Sequence, residues 1–235
     1  MHLSHRLLAK TILITPLIAM ATVSGQWQKK PYTEWSQKDA LNILNNSPWG
    51  QTYTDTSRMF DEGRRADSNS SRVVEVPQVK FRIRFFSSKP IRQATARLVA
   101  LMQKGQVSKQ LAAQLEALAN ADFPDYVVIT VVTEPGDSGS LMASAAALLD
   151  KQSTSQLRND THLLVEGKRV FLNEYQPPRR DGLGARFVFP RLVDGKPFIT
   201  ADTDEVGFHS SLNAGPELNM RFKVKDMIFG GTLEY

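Results

Sequence analysis

Apolar and basic residues alternate strictly in one stretch of the chain, where Val79, Phe81, Ile83 and Phe85 are interleaved with Lys80, Arg82 and Arg84. Successive strand side chains point to opposite faces, so a period of two predicts a β-strand within 73–86. Its apolar face needs cover; its other face is cationic. The residues from Asp125 to Val132 instead form a near-continuous β-branched run, the pattern of a central strand buried on both faces. Between these two segments the period changes to that of a helix. Ile91, Ala94 and Leu98 recur behind Pro90, a residue suited to a first helical turn, and Gly105 ends the run. Leu111, Leu115 and Leu118 then follow Ser108, an N-cap type, which predicts a helical hairpin.

Earlier in the chain, residues 33–49 read as a helix. Ala40, Ile43 and Leu44 share a face, Ser36 and Asp39 sit at capping-box spacing, and Ser47-Pro48 forms the stop. Trp35 and Trp49 flank it and are expected to anchor it against the core. Gln51 to Arg58 reads as extended, and Asp61 to Arg72, nearly devoid of apolar residues, as an exposed loop. An alanine-rich helix to Leu149 follows the turn Glu134-Pro135-Gly136-Asp137, with Asp137 or Ser138 as its cap.

Beyond Lys151 short strands are punctuated by hairpin signals, Glu166-Gly167-Lys168 and Asp194-Gly195. Met220 to Lys225 alternates again, and Ile228 to Tyr235 reads as one closing strand. The expected fold is therefore α+β: a mixed sheet with about three to four helices, antiparallel strands dominating the C-terminal third.

The first residues change the picture of where the protein works. Arg6 and Lys10 precede a short apolar run, Thr11 to Ile18, which continues into Ala19-Met20-Ala21. A charged segment, an apolar segment and small residues in that order define a cleavable secretory signal. Cleavage before Thr22 or before Gln26 fits, the second being preferred. The run is shorter than the ~20 apolar residues a spanning helix needs, and Pro16 interrupts it. Residues 1–25 are thus expected to be a signal peptide and 26–235 a single extracytoplasmic α+β domain, periplasmic or released.

Composition adds two bounds. The chain has no cysteine, so disulfides, thiolate metal sites and cysteine nucleophiles are excluded. The 29 basic and 24 acidic residues fall to 27 and 24 without Arg6 and Lys10, a net charge of +3. That is too small an excess to suggest a nucleic-acid binder.

Candidate chemistry is sparse. Gly136-Asp-Ser-Gly-Ser140 resembles the nucleophile segment of trypsin-like serine proteases, but the only histidines upstream of Ser138 are His2 and His5, in the signal. The same residues nearly form a Gly-x-Ser-x-Gly elbow, with Ser138, Asp202 or Asp204, and His209 in Ser–acid–His order. Helix capping by Asp137 and Ser138 explains those residues without catalysis. His162 and His209, the only other histidines, lie far apart in sequence and suggest no metal site. Asp202-x-Asp204 begins like a calcium loop, with Gly207 at position 6, but position 12 is Asn213 rather than an acid. It reads as a solvated acidic loop. Gly182-x-Gly184 lacks the context of a nucleotide fingerprint, and no cofactor is implied.

Lys80, Arg82 and Arg84 form the best candidate face for an anionic partner, extended by Arg72 or by Lys223 and Lys225 if their strands pair. Simple solvation of an open sheet is the alternative. An aromatic cleft near Trp35 and Trp49 is a second candidate surface.

Several segments together, Lys30-Pro31-Tyr-Thr-Glu-Trp35, Asn46-Ser47-Pro48-Trp49, Phe81-Arg-Ile-Arg-Phe85 with Pro90-Ile-Arg-Gln93, and Lys225-Asp-Met-Ile-Phe229 to Leu233-Glu234, resemble a family of exported bacterial proteins of unknown function. The resemblance implies export and assigns no site. The expectation is a non-enzymatic binding or envelope-associated protein whose partner is an envelope component or anionic polymer. A serine hydrolase using Ser138 and His209, or a structural docking module, are the alternatives.

Overall fold

The structure, a computed structural model, describes residues 27–55, 78–104, 106–134 and 139–235. The expected signal peptide, the loop Asp61–Arg72, Gly105, and the capping residues Asp137 and Ser138 lie outside these.

The elements follow in the order α1 (Gln37–Asn45), β1 (Gly50–Asp55), β2 (Val79–Phe85), α2 (Lys89–Met102), α3 (Lys109–Ala119), β3 (Tyr126–Thr133), α4 (Gly139–Asp150) and the single turn α5 (Thr154–Leu157). Strands then take over: β4 (Thr161–Val165), β5 (Lys168–Phe171), β6 (Glu174–Gln176), β7 (Ala185–Pro190), β8 (Leu192–Val193), β9 (Lys196–Pro197), β10 (Glu205–Ser211), β11 (Glu217–Lys223), β12 (Ile228–Phe229) and β13 (Thr232–Leu233). The fold is α+β, with strands dominating the C-terminal part. Two larger sheets carry it, a five-stranded one ordered β1-β2-β3-β7-β6 and a four-stranded one ordered β11-β10-β4-β5. Every described pairing is antiparallel, a more uniform arrangement than a mixed sheet.

Local chemistry fixes the ends of the elements. The Ser36 hydroxyl accepts the Asp39 N–H at 3.1 Å while the Asp39 carboxylate accepts the Ser36 N–H at 3.0 Å, a complete capping box on α1. Ser108 caps α3 in the same way through Leu111 N–H. The helix is shorter than its sequence pattern: Tyr32–Glu34 is a separate 3-10 turn, and Ser47 bridges Gly50. A Cβ at Gly50 would lie 2.3 Å from the Leu44 carbonyl oxygen, so only glycine permits β1 to leave the helix this closely. The turns Glu166-Gly167 (φ 50°, 79°) and Asp194-Gly195 (φ 52°, 73°) hold both central residues at positive φ, matching strand twist. The closing segment departs from its expected single strand. Gly230 and Gly231 both take positive φ and fold it into the two-residue strands of the β12–β13 hairpin.

One contiguous core joins the sheets. Phe85 and Phe187 share a face of the larger sheet and meet Phe222 and Phe208 of the smaller, with centroids 4.8 and 5.4 Å apart in edge-on geometry. β3 lies in the centre of the five-stranded sheet, and Val127 to Val131 are buried, as its near-continuous β-branched run requires. α2 and α3 pack as a hairpin around a small second core of Ala96, Leu115 and Ala119.

A cleft between the two sheets

The C-terminal end of α1, strand β1 and the edge strand β11 enclose an open cleft of about 800 Å³. Its lining is polar. Asn45, Asn46, Gln51 and Thr52 face Arg221 and Lys223, with Arg82, Glu205 and Asp226 completing the charges. Gln51 ties the walls together, its side-chain amide donating to the Arg221 carbonyl at 3.0 Å.

The predicted basic face lies partly at this cleft, but its members differ in their surroundings. Lys80 is exposed. Arg82 forms an ion pair with Glu134 at 2.5 Å and donates to the Thr52 hydroxyl. Arg84 is more deeply held: it donates to the Leu44 carbonyl at 2.9 Å and to Asn45 Oδ1 at 2.8 Å. The last carbonyls of a helix lack partners within the helix, and a cation there also meets the negative end of the helix dipole. Arg84 thus ties α1 to β2. Burial above all, then the neighbouring Arg82 charge, pushes its pKa down to about 10, so it stays protonated at neutral pH.

Strand β11 supplies the accessible cations. Arg221 is 79% exposed and makes one loose pair with Glu205 at 3.3 Å. Lys223 is exposed and forms no ion pair among the described residues. β2 and β11 do not pair; β1 lies between them, and the cleft is where Arg82 and Lys223 come together. Lys225 is exposed in the 3-10 turn Val224–Asp226, and Arg72 lies outside the described residues.

The tryptophan surface is corrected. Trp35 and Trp49 are completely buried, and with Trp27 and Phe229 they form a closed aromatic cluster. Their indole N–H groups are satisfied within the chain, Trp35 by the Trp27 carbonyl and Trp49 by the Glu234 carbonyl, both at 2.8 Å. No aromatic cleft opens there.

Ser138, the alternative nucleophile, lies outside the described residues. His209 Nδ1, which would contact the acid of a triad, instead lies 2.6 Å from Asn219 Oδ1. Asp202 and Asp204 are exposed, in a turn where Thr203 is buried and its hydroxyl accepts the Thr200 N–H. Among the described residues no group of three or more His, Asp or Glu side chains is arranged around a common metal position. His162 and His209, distant in sequence, are neighbours: β4 pairs with β10 so that they stand directly opposite, their ring centroids 4.9 Å apart. Sequence reading missed this because the pairing joins strands separated by five other strands. Two alternating segments with a histidine on the same face were the available signal.

No helix among the described residues is long and apolar enough to cross a membrane. Comparison with protein families, curated proteins and solved structures gives no match.

Proposed function

We propose that the protein is an exported, non-enzymatic binding protein and that the cleft between the sheets takes a segment of an anionic glycan of the cell envelope. The observation that carries this reading is the chemistry of the lining. Amides and hydroxyls from Asn45, Asn46, Gln51 and Thr52 suit sugar hydroxyls, which both donate and accept hydrogen bonds. Arg221 and Lys223 stand opposite them, accessible to carboxylate or phosphate groups. Their exposure favours steering and specificity over very tight binding. The N-terminal signal pattern and the resemblance to exported bacterial proteins support an extracytoplasmic location.

Titration with an acidic polysaccharide such as a polyuronate, beside a neutral glucan of similar length, tests the cleft. The acidic polymer is expected to bind, and binding should weaken on going from 50 to 500 mM salt as the charges are screened. The double variant Arg221→Ala/Lys223→Ala should lose roughly tenfold in affinity, since exposed charge contacts contribute up to ~1 kcal/mol each. Equal binding of the neutral glucan, or indifference to salt, would overturn the proposal. For export, mass spectrometry of the protein recovered from a bacterial periplasm should find its N-terminus at Thr22 or Gln26; an intact Met1 there would refute the signal.

A further inference from the structure

We infer that His162 and His209 form a binding site for one divalent first-row transition metal, Cu²⁺ or Zn²⁺, on the open face of the four-stranded sheet. The site is separate from the proposed glycan cleft and does not depend on it.

Strand alternation and register define this face. Across β5, β4, β10 and β11 one row reads Phe171, His162, His209, Asn219. The imidazoles come from directly opposed positions, and their planes are inclined at 39°. Two imidazoles sharing one ion at ~2.0–2.1 Å from each nitrogen have ring centres about 5 Å apart. The observed 4.9 Å matches that spacing without movement of either strand.

The hydrogen bonding leaves the rings ready for a metal. Asn219 Oδ1 can only accept, so His209 Nδ1 carries the proton and Nε2 keeps its lone pair. An outer carbonyl that fixes the tautomer in this way is the usual second layer of a metal-bound histidine. Among the described residues His162 has no hydrogen-bond partner, and its Nδ1 is buried without one. A buried polar atom with no partner is a cost that a ligand can remove. Burial above all, then His209 and Arg169, pushes the His162 pKa down and keeps the ring neutral. Phe171, its ring 5.8 Å from His162, and the exposed Leu164 give the pair an apolar border.

The charged residues of the same face are Arg169 on β5, Arg221 and Lys223 on β11, and Glu205 and Glu217 at the ends of β10 and β11. No carboxylate stands in the histidine row. The chain therefore supplies two ligands and leaves the remaining positions open to water or to an anion drawn by the arginines. Imidazole ligands suit Cu²⁺ and Zn²⁺, with Cu²⁺ the tighter.

The test uses untagged full-length chain carrying His2→Ala and His5→Ala, which reduces its four histidines to this pair. Calorimetric titration at pH 7.5 should show one saturable site with Cu²⁺ tighter than Zn²⁺, and the Cu²⁺ paramagnetic spectrum should show nitrogen coupling. His209→Ala, at a half-exposed position, should abolish the site and the metal-dependent rise in melting temperature while leaving the metal-free melt unchanged. His162→Gln should do the same to binding, and Asn219→Ala should weaken it about tenfold or more. Absence of saturable binding, or unchanged affinity in His209→Ala, would overturn the inference.

Discussion

The two sheets share one core yet present opposite kinds of polar face. On the five-stranded sheet three arginines point away from the core, and all three are engaged within the chain: Arg82 with Glu134 and Thr52, Arg84 with the end of α1, Arg186 with Asp181. On the four-stranded sheet the corresponding face leaves Arg221, Lys223, Leu164 and Phe171 exposed. Alternation alone makes these strands look alike. What separates them is what lies beside the strands: α1 packs against β1 and β2 on the first, and much of the second is exposed. An arginine on the first is part of the architecture, and one on the second is available to a partner.

The largest effect that would sharpen this contrast is on stability. Arg84→Met should lower unfolding free energy by about 3 kcal/mol, because it strips the Leu44 carbonyl and Asn45 Oδ1 of their donor in a part-buried setting. Arg221→Met should change it by less than about 0.5 kcal/mol. Urea midpoints at constant m-value check both, and equal losses would erase the distinction between the faces. A smaller loss, ~1 kcal/mol, is expected from Ser36→Ala, which opens the capping box that orients α1 over the first face.

The smallest effect concerns acid. The His162 pKa is lowered from 6.5, so below that pH the unfolded chain takes up a proton that the folded chain resists. This contribution to stability is fully present above pH 6.5. It is lost as the pH falls from there toward the lowered folded value. Urea midpoints at pH 7.5 and pH 5 should show the decline, and His162→Gln should flatten part of it. An undiminished slope in that variant would place the acid sensitivity elsewhere.

Local signals were legible in the sequence. The capping box at Ser36 and Asp39, the Ser108 cap, the positive-φ turn pairs and the alternation of β2 all rest on residues a few positions apart, and the α+β class followed from them. The site was much less legible. Which strand lies beside which is decided by non-local packing, so the sequence offered the joining of Arg82 with Lys223 only as one option and did not pair His162 with His209. That Trp35 and Trp49 anchor the helix against the core was legible, but what closes over them was not. Trp35 and Trp49 flank a helix in sequence, and the return of Phe229 and Glu234, far along the chain, closes the cluster where a cleft was expected.

That return has a kinetic consequence. The Trp49 indole finds its acceptor 185 residues later, at Glu234, whose carboxylate also receives the first N–H of α2 from Lys89. At synthesis rates of roughly 5–20 residues per second, the tryptophan cluster waits about 10–40 s for its final neighbours. Through that interval three indoles and the start of a long helix remain incompletely covered. Folding of this cluster is therefore expected to be late and concerted rather than progressive from the N-terminus.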